Sequence, residues 1–491
     1  MTRSLLSRPA RAALAVAGAV ALGIGVVPGT AVAQPTGSPI DGDGTPVGEA
    51  QEDRLADGTT IFGRSIALHI SDRDAMGWAT IGNGDPTDEV WLDRSFDGGE
   101  TVADSRLGYA TIPDGSRGTS TLMYNVDDRA NGAKGVLRAC GKAGNRPDIV
   151  CTAWTKVEKP RPRGSRAKRA VEALVKLYDE ETGLWKTTGW WNSANALTAV
   201  LDYQAATGDR SYEWIIANTY DKNIDAQWGN FTNDYIDDTG WWALAWIRAY
   251  DLTGDERYLE TAKFDADFMY DTWSDVCGGG VIWNVDRPYK NAVTNELFIK
   301  VAASLHNRIP GDTKYLDQAL AAWEWFENSG MINNENLIND GLNDACENNG
   351  DVTWTYNQGI ILGAAPELYE ATGDRTYLER ARALADASTT SSYLNPGGVL
   401  TEPCEADGCG ADGPTFKGVY VRNLGELNAA LPGRPYQSYL QRQAAVSYTK
   451  GRNRFDQYGL HWAGPVAWLS AATQQSGTEA QIAPLKGQRR G

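Results

Sequence analysis

Histidine is nearly missing from this sequence. His69, His306 and His461 are its three copies, far apart and in no ligand spacing, which argues against a histidine-based metal centre. No Cys-x-x-Cys pair occurs, so a thiolate zinc site finds no support either. Positive charge is in deficit: 46 Lys and Arg face 63 Asp and Glu, for a net charge of −17. Such a surface repels phosphate backbones, and no P-loop-type cradle is present, so nucleic acid is not an expected partner. Beyond the N-terminus no apolar run reaches the ~18 residues that a membrane span needs. What is abundant is flat aromatic surface, with 18 Trp and 21 Tyr beside 53 Gly. Large core residues account for many of these rings, and the remainder point to stacking surfaces.

The first 33 residues read as a secretory leader. Arg3, Arg8 and Arg11 precede an apolar run from Ala12 to Val27, and Ala31-Val32-Ala33 supplies a small-x-small cleavage site. No twin-Arg pair is present, which favours the general secretory route. The mature protein is therefore expected to be secreted, without a membrane span, and monomeric. Six Cys fit that address, because an even number in an exported chain reads as disulfides, formally with fifteen connectivities. Local spacing pairs Cys140 with Cys151 and Cys404 with Cys409, and leaves Cys277 with Cys346 to join two distant loops.

Composition and period divide the rest. Residues 34–60 are rich in Gly, Pro, Asp and Thr and read as a flexible linker. Residues 61–158 read as a small β-rich domain of open role: Ile66, Leu68 and Ile70 alternate, as do Leu122, Tyr124 and Val126, and Val136-Leu137 and Ile149-Val150 sit in further short runs. Ser95-Phe96-Asp97-Gly98-Gly99-Glu100-Thr101 resembles the structural Asp-box hairpin. After the basic, Pro-containing segment 159–164 the period becomes helical. Thr207-Gly208-Asp209, Thr253-Gly254-Asp255 and Thr372-Gly373-Asp374 each end one helix and start the next, with looser copies at Pro310-Gly311-Asp312 and Pro432-Gly433-Arg434. Twelve helices follow, the last at 464–473, and residues 476–491 are expected to be a disordered tail. Helices entered from long loops, such as the one bearing Trp241-Trp242-Ala243-Leu244-Ala245-Trp246, are apolar on several sides and therefore buried. The expected fold is an all-α (α/α)6 barrel over 165–475 preceded by the small β-rich domain, with every inner helix starting at the long-loop mouth.

The inner-helix starts carry Trp, Tyr, Asn and Gln around paired carboxyls. Aromatic platforms suit the apolar faces of a sugar and amides suit its hydroxyl edges. The candidate substrate-binding residues are Trp191, Asn195, Trp241, Trp242, Asn295, Tyr356, Asn357, Gln358, Lys417 and Arg422. Asp237-Asp238 is the sharpest feature. Two adjacent acids cannot both ionise easily, and a helix N-terminus favours one ionised form, so the pair can divide into nucleophile and proton donor. As an ordinary Asp-Asp it would be a helix cap and a solvated neighbour. The flanking Trp pair and the export signal favour catalysis. The Asn-, Asp- and Glu-rich stretch 333–351 lacks Ca²⁺-loop spacing and reads as a solvated cleft loop, with Asp340 in reach of substrate.

Tyr235-Ile236-Asp237-Asp238-Thr239-Gly240-Trp241-Trp242-Ala243-Leu244-Ala245 resembles the signature of glycoside hydrolase family 76, the endo-α-1,6-mannanases. Cys277-Gly278-Gly279-Gly280-Val281-Ile282-Trp283, Thr355-Tyr356-Asn357-Gln358-Gly359 and Phe416-Lys417-Gly418 match that family's pattern in order, over about residues 165–475. The resemblance implies an (α/α)6 barrel, an α-mannan substrate, no cofactor or catalytic metal, and a retaining mechanism with Asp237 as nucleophile and Asp238 as general acid/base. A transglycosidase acting on cell-wall mannan and a non-catalytic wall-glycan binder are the alternative readings.

Overall fold

The structure, a computed structural model, describes residues 40–160 and 163–487. The expected leader, the start of the expected linker and residues 488–491 lie outside the described residues.

The N-terminal part is built from two antiparallel sheets. Strands β1 (Arg54–Ile61), β2 (Arg64–Ser71) and β3 (Met76–Gly82) run side by side. The short β6 (Thr119–Ser120) and β7 (Tyr124–Asn125) complete the β3 edge. The second sheet has the order β5 (Asp104–Thr111), β4 (Glu89–Ser95), β8 (Val136–Lys142), β9 (Ile149–Cys151). Ile66, Leu68 and Ile70 from one sheet share a core with Val90, Leu92, Leu137 and Ala139 from the other. The linker reading of 34–60 fails over its second half, where β1 lies. A register shift between Leu55 and Asp57 breaks the alternation that would have marked this strand. The run through Leu122 is likewise not one strand: Leu122 is 46% exposed between β6 and β7. The Asp-box turn forms as expected. Thr101 N–H donates to the Asp97 carboxylate at 2.9 Å, and Gly99 N–H to the Ser95 hydroxyl at 2.9 Å.

Twelve helices follow: α1 (Arg166–Val175), α2 (Trp190–Thr207), α3 (Trp214–Asn223), α4 (Ile236–Thr253), α5 (Glu256–Tyr270), α6 (Ala292–Arg308), α7 (Lys314–Asn328), α8 (Thr355–Thr372), α9 (Thr376–Thr390), α10 (Phe416–Ala430), α11 (Gln437–Lys450) and α12 (Ala471–Ile482). A two-residue ribbon, β10 (Tyr178–Asp179) with β11 (Leu184–Trp185), joins α1 to α2. The even-numbered helices touch one another in a closed ring, α12 returning to α2, and the odd-numbered helices pack outside them. The repeated turn explains the pairing. In each Thr-Gly-Asp copy the Gly takes a left-handed C-cap, with φ of 75°, 69° and 72° at Gly208, Gly254 and Gly373. The Thr hydroxyl accepts from the Asp N–H, and the Asp carboxylate accepts from the N–H two residues further on. One tripeptide thus satisfies orphan groups of both helices and leaves little room for a long connection.

Residues 476–487 are not a disordered tail. Helix α12 runs to Ile482, deeper into the chain than the 464–473 expected for it, and its residues are buried throughout. Its Gln, Ser and Thr content hides this in the sequence, because the polar side chains are spent internally. Gln474 accepts from Tyr458 N–H at 2.9 Å and donates to the Ala170 carbonyl at 2.8 Å. The β domain is docked on the helices rather than tethered to them. Leu55 and Ala67 belong to the main helical core. Gln457 grips the Leu55 backbone in both directions, at 3.0 and 2.7 Å, and Lys186 pairs with Asp57 at 2.8 Å. No helix of the described residues is long and apolar enough to cross a membrane.

Candidate active site

Helix α4 starts with its two acids in the first turn. Tyr235 is the residue before the helix and makes no side-chain cap, so Asp237 and Asp238 stand at the second and third positions, where N–H groups lack intrahelical partners. They open into a cleft of about 970 Å³ at the long-loop mouth of the ring. Its floor is aromatic. The Trp191 and Trp241 rings lie 5.6 Å apart at 25°, and those of Tyr356 and Phe416 lie 3.9 Å apart at 6°. Trp283, Tyr289 and Tyr235 form one wall, and Asp412, beyond Trp191, stands on another.

Asp238, Asp412 and Asp340 are each held by a neutral donor. Asn233 donates to Asp238 Oδ2 at 2.7 Å. Trp191 Nε1 donates to Asp412 Oδ1 at 2.9 Å. The Tyr289 hydroxyl donates to Asp340 Oδ2 at 2.6 Å and accepts from Asn349 at 2.9 Å. Asp237 keeps Oδ1 without a protein partner among the described residues. Burial pushes Asp237 up to about 7, against the pull of the helix-start N–H groups and the Trp283 indole. Burial, reinforced by the like charge of Asp237, drives Asp238 well above the carboxylate range despite Asn233. Burial also raises Asp340 and Asp412, the latter open to the cleft yet enclosed by its walls. Burial therefore biases both members of the pair towards the protonated form, and the like charge of Asp237 adds to that bias at Asp238. An acid that holds its proton beside one with a free oxygen can protonate a leaving group while the other attacks or stabilises a cation.

Three disulfides form as the spacing suggested: Cys140–Cys151, Cys277–Cys346 and Cys404–Cys409. The second joins the loop bearing Trp283 to the loop bearing Asp340, and the third stiffens the loop that ends at Asp412.

Of the ten candidate substrate-binding residues, Trp191, Trp241 and Tyr356 line the cleft. The other seven do not. Trp242 is fully buried, stacked on Trp246 at 5.6 Å and against Phe231 at 4.9 Å. Asn295 clamps the Val281 backbone with 2.9 and 3.1 Å bonds, and Gln358 clamps Ile338 with two of 2.8 Å. Arg422 donates to Asn195 at 2.7 Å and pairs with Glu479 at 3.4 Å. Lys417 bonds Glu405 and, at 2.6 Å, the Leu460 carbonyl. Asn357 is wholly buried. Asn295, Gln358 and Lys417 meet loop backbone before they meet solvent, whereas Arg422 pairs with side chains of neighbouring helices and Asn357 keeps both polar atoms without a partner among the described residues. Residues that the sequence left unmarked come from long loops. Asp412 carries no local signal. Trp283 closes the Cys277–Trp283 motif, which was legible as a motif without a role.

A buried acid pair over an aromatic floor, at the mouth of a ring of helix starts, is the equipment of a glycoside hydrolase. The chain belongs to glycosyl hydrolase family 76, whose family model matches residues 164–487. It is similar to an alpha-1,6-mannanase of Salegentibacter sp. HEL1_6, solved as an inactive variant with two consecutive Asp changed to Asn and in complex with alpha-1,6-mannotriose. The identity is 27%, over 65% of this chain and 98% of that one, with a TM-score of 0.58. It is also similar to mannan endo-1,6-alpha-mannosidases of Candida glabrata and Saccharomyces cerevisiae, both 28% identical over 56% of this chain. The match spans 66% of the length of each yeast relative.

Proposed function

We propose that this protein is a secreted endo-α-1,6-mannanase that cleaves α-1,6-linked mannan with retention, on a helical domain of (α/α)6-barrel type. The observation that carries the reading is the Asp237-Asp238 pair at the start of α4, opening over the Trp191–Trp241 and Tyr356–Phe416 floor. The Salegentibacter mannanase supports it, since changing two consecutive Asp leaves that enzyme inactive and holding an α-1,6-mannooligosaccharide. The leader sequence and three disulfides support export.

In this mechanism a mannosyl residue rests on the aromatic floor with its anomeric carbon above Asp237. Asp238, holding the proton, delivers it to the departing glycosidic oxygen as the Asp237 carboxylate attacks. The C–O bond to the leaving sugar breaks as the bond to Asp237 forms. Asp238, now a carboxylate, removes a proton from water, which displaces Asp237 and restores both acids. The test is to incubate the mature protein with linear and branched α-mannans, size the products, and read the first-formed anomer by NMR. Internal cleavage with an α-anomer is expected. A first-formed β-anomer contradicts retention, and products longer than the substrate mark glycosyl transfer in place of hydrolysis.

A further inference from the structure

The charge of the cleft walls sets what decoration a glycan can carry. Beside Asp237 and Asp238, the cleft is lined by Asp340, Asp344, Asp351 and Asp412, and Arg287 is its one basic residue. None of the six carboxyls is salt-bridged to a Lys or Arg of the described residues. Their hydrogen bonds come from Asn233, Trp191, Trp283, Tyr289 and backbone N–H groups, donors that add no charge. The acids also lie close enough to feel one another's charge: Asp412 is felt by both members of the pair, and Asp351 by Asp340. Elsewhere in the molecule many acids are neutralised in place, as in Asp202 with Arg248 and Lys486, or Glu367 with Arg308, although the buried Asp265 and Glu296 are not. The lack of cations is thus a property of the cleft and not of the whole chain.

Building on the mannanase reading, we propose that this cleft selects neutral mannan and rejects mannan bearing phosphate or other anionic substituents near the cleavage point. Neutral hydroxyls satisfy the free carboxylate oxygens as donors. A phosphate offers no donor when ionised, and like charges in a cleft open to solvent repel, most strongly at low salt. The same field slows the approach of an anionic chain.

The test uses three α-1,6-mannotetraoses: the parent, one carrying a neutral acetyl ester, and one carrying a phosphate monoester at the same hydroxyl. The acetyl compound is expected to track the parent within about threefold, while the phosphate compound falls at least ~10-fold in kcat/KM at low salt, a difference of ~1.4 kcal/mol. The phosphate-to-acetyl ratio should rise towards one in 0.5 M salt, at a Debye length of about 4 Å, and in the Asp344→Asn, Asp351→Asn double variant. Phosphate and acetyl compounds cleaved within twofold of each other at low salt would overturn the inference and leave the mannanase reading standing. No cleavage of the parent would overturn that reading, and this inference with it.

Discussion

The two ends of the helical ring use the same residue types to opposite effect. At the long-loop mouth, Asp237, Asp238, Asp340 and Asp412 are held by amides, indoles and phenols, and all four are pushed upward. At the tight-turn end, Asp202 and Glu426 are just as enclosed. There Lys486 bonds both, Arg248 pairs with Asp202 at 2.6 Å, and Lys300 with Glu426 at 2.5 Å. Those cations overcome the burial penalty and hold both carboxyls below their ordinary range. Depth alone therefore does not decide what a buried acid does. The supply of cations does: paired acids fasten the floor of the ring, and unpaired ones remain available to exchange protons.

The largest way to break this contrast is at the mouth. Asp237→Ala should lower turnover of every glycan by at least ~10³-fold, as loss of a nucleophile does. Asp238→Ala should spare an aryl mannoside with an activated leaving group in its first step, and added azide should restore turnover as an α-mannosyl azide, read by NMR. Near-normal rates for both variants would remove the site assignment.

At the far end, Lys486→Met should leave Asp202 to Arg248 alone and Glu426 to Lys300 alone, and cost about 1.5–3 kcal/mol in chemical denaturation. The cleft lies at the other mouth, so kcat of the folded variant should stay within about twofold; a large fall in kcat would mean the ends are coupled.

A smaller effect comes from pH. Asp237 and Asp238 bind protons more tightly folded than unfolded, so their contribution to stability is full below the unfolded value near 4 and falls as pH rises, for Asp237 through about 7. Asp238→Asn should flatten that decline and gain roughly 1–3 kcal/mol at pH 8. Denaturation midpoints from pH 4 to pH 8 check it, and a wild-type slope of the opposite sign would refute it. Smaller again is Gln457→Ala, which leaves both polar groups of Leu55 unpaired and should cost about 1–3 kcal/mol. If the midpoint does not move, the β domain is not fastened where Gln457 meets it.

Much of this was legible in the sequence, and the parts that were not share causes. The Thr-Gly-Asp turns located the helix pairs because one tripeptide caps both neighbours, so eleven helices could be placed closely. Helix α12 was mislaid because its Gln and Ser residues look like tail while serving as internal hydrogen-bond partners. Strand β1 reads as linker because a bulge removes its alternation. Asp237-Asp238 was visible because local sequence places both acids on one helical turn. Seven of the ten candidate substrate-binding residues lie away from the cleft, since sequence shows which side chain starts a helix but not what packs over it. Asn295 and Gln358 became loop clamps for that reason. Asp412 was invisible because the Cys404–Cys409 loop carries it to the cleft from far along the chain.

The contrast between paired and unpaired acids is tested most directly by a ¹³C-carboxyl NMR titration of Asp-labelled protein, assigned with the Asp238→Asn and Asp202→Asn variants. The account predicts that Asp238 still holds its proton at pH 7, while Asp202 is ionised down to the lowest pH at which the protein stays folded. An Asp238 carboxyl that titrates near pH 4, as an ordinary aspartate does, would contradict it.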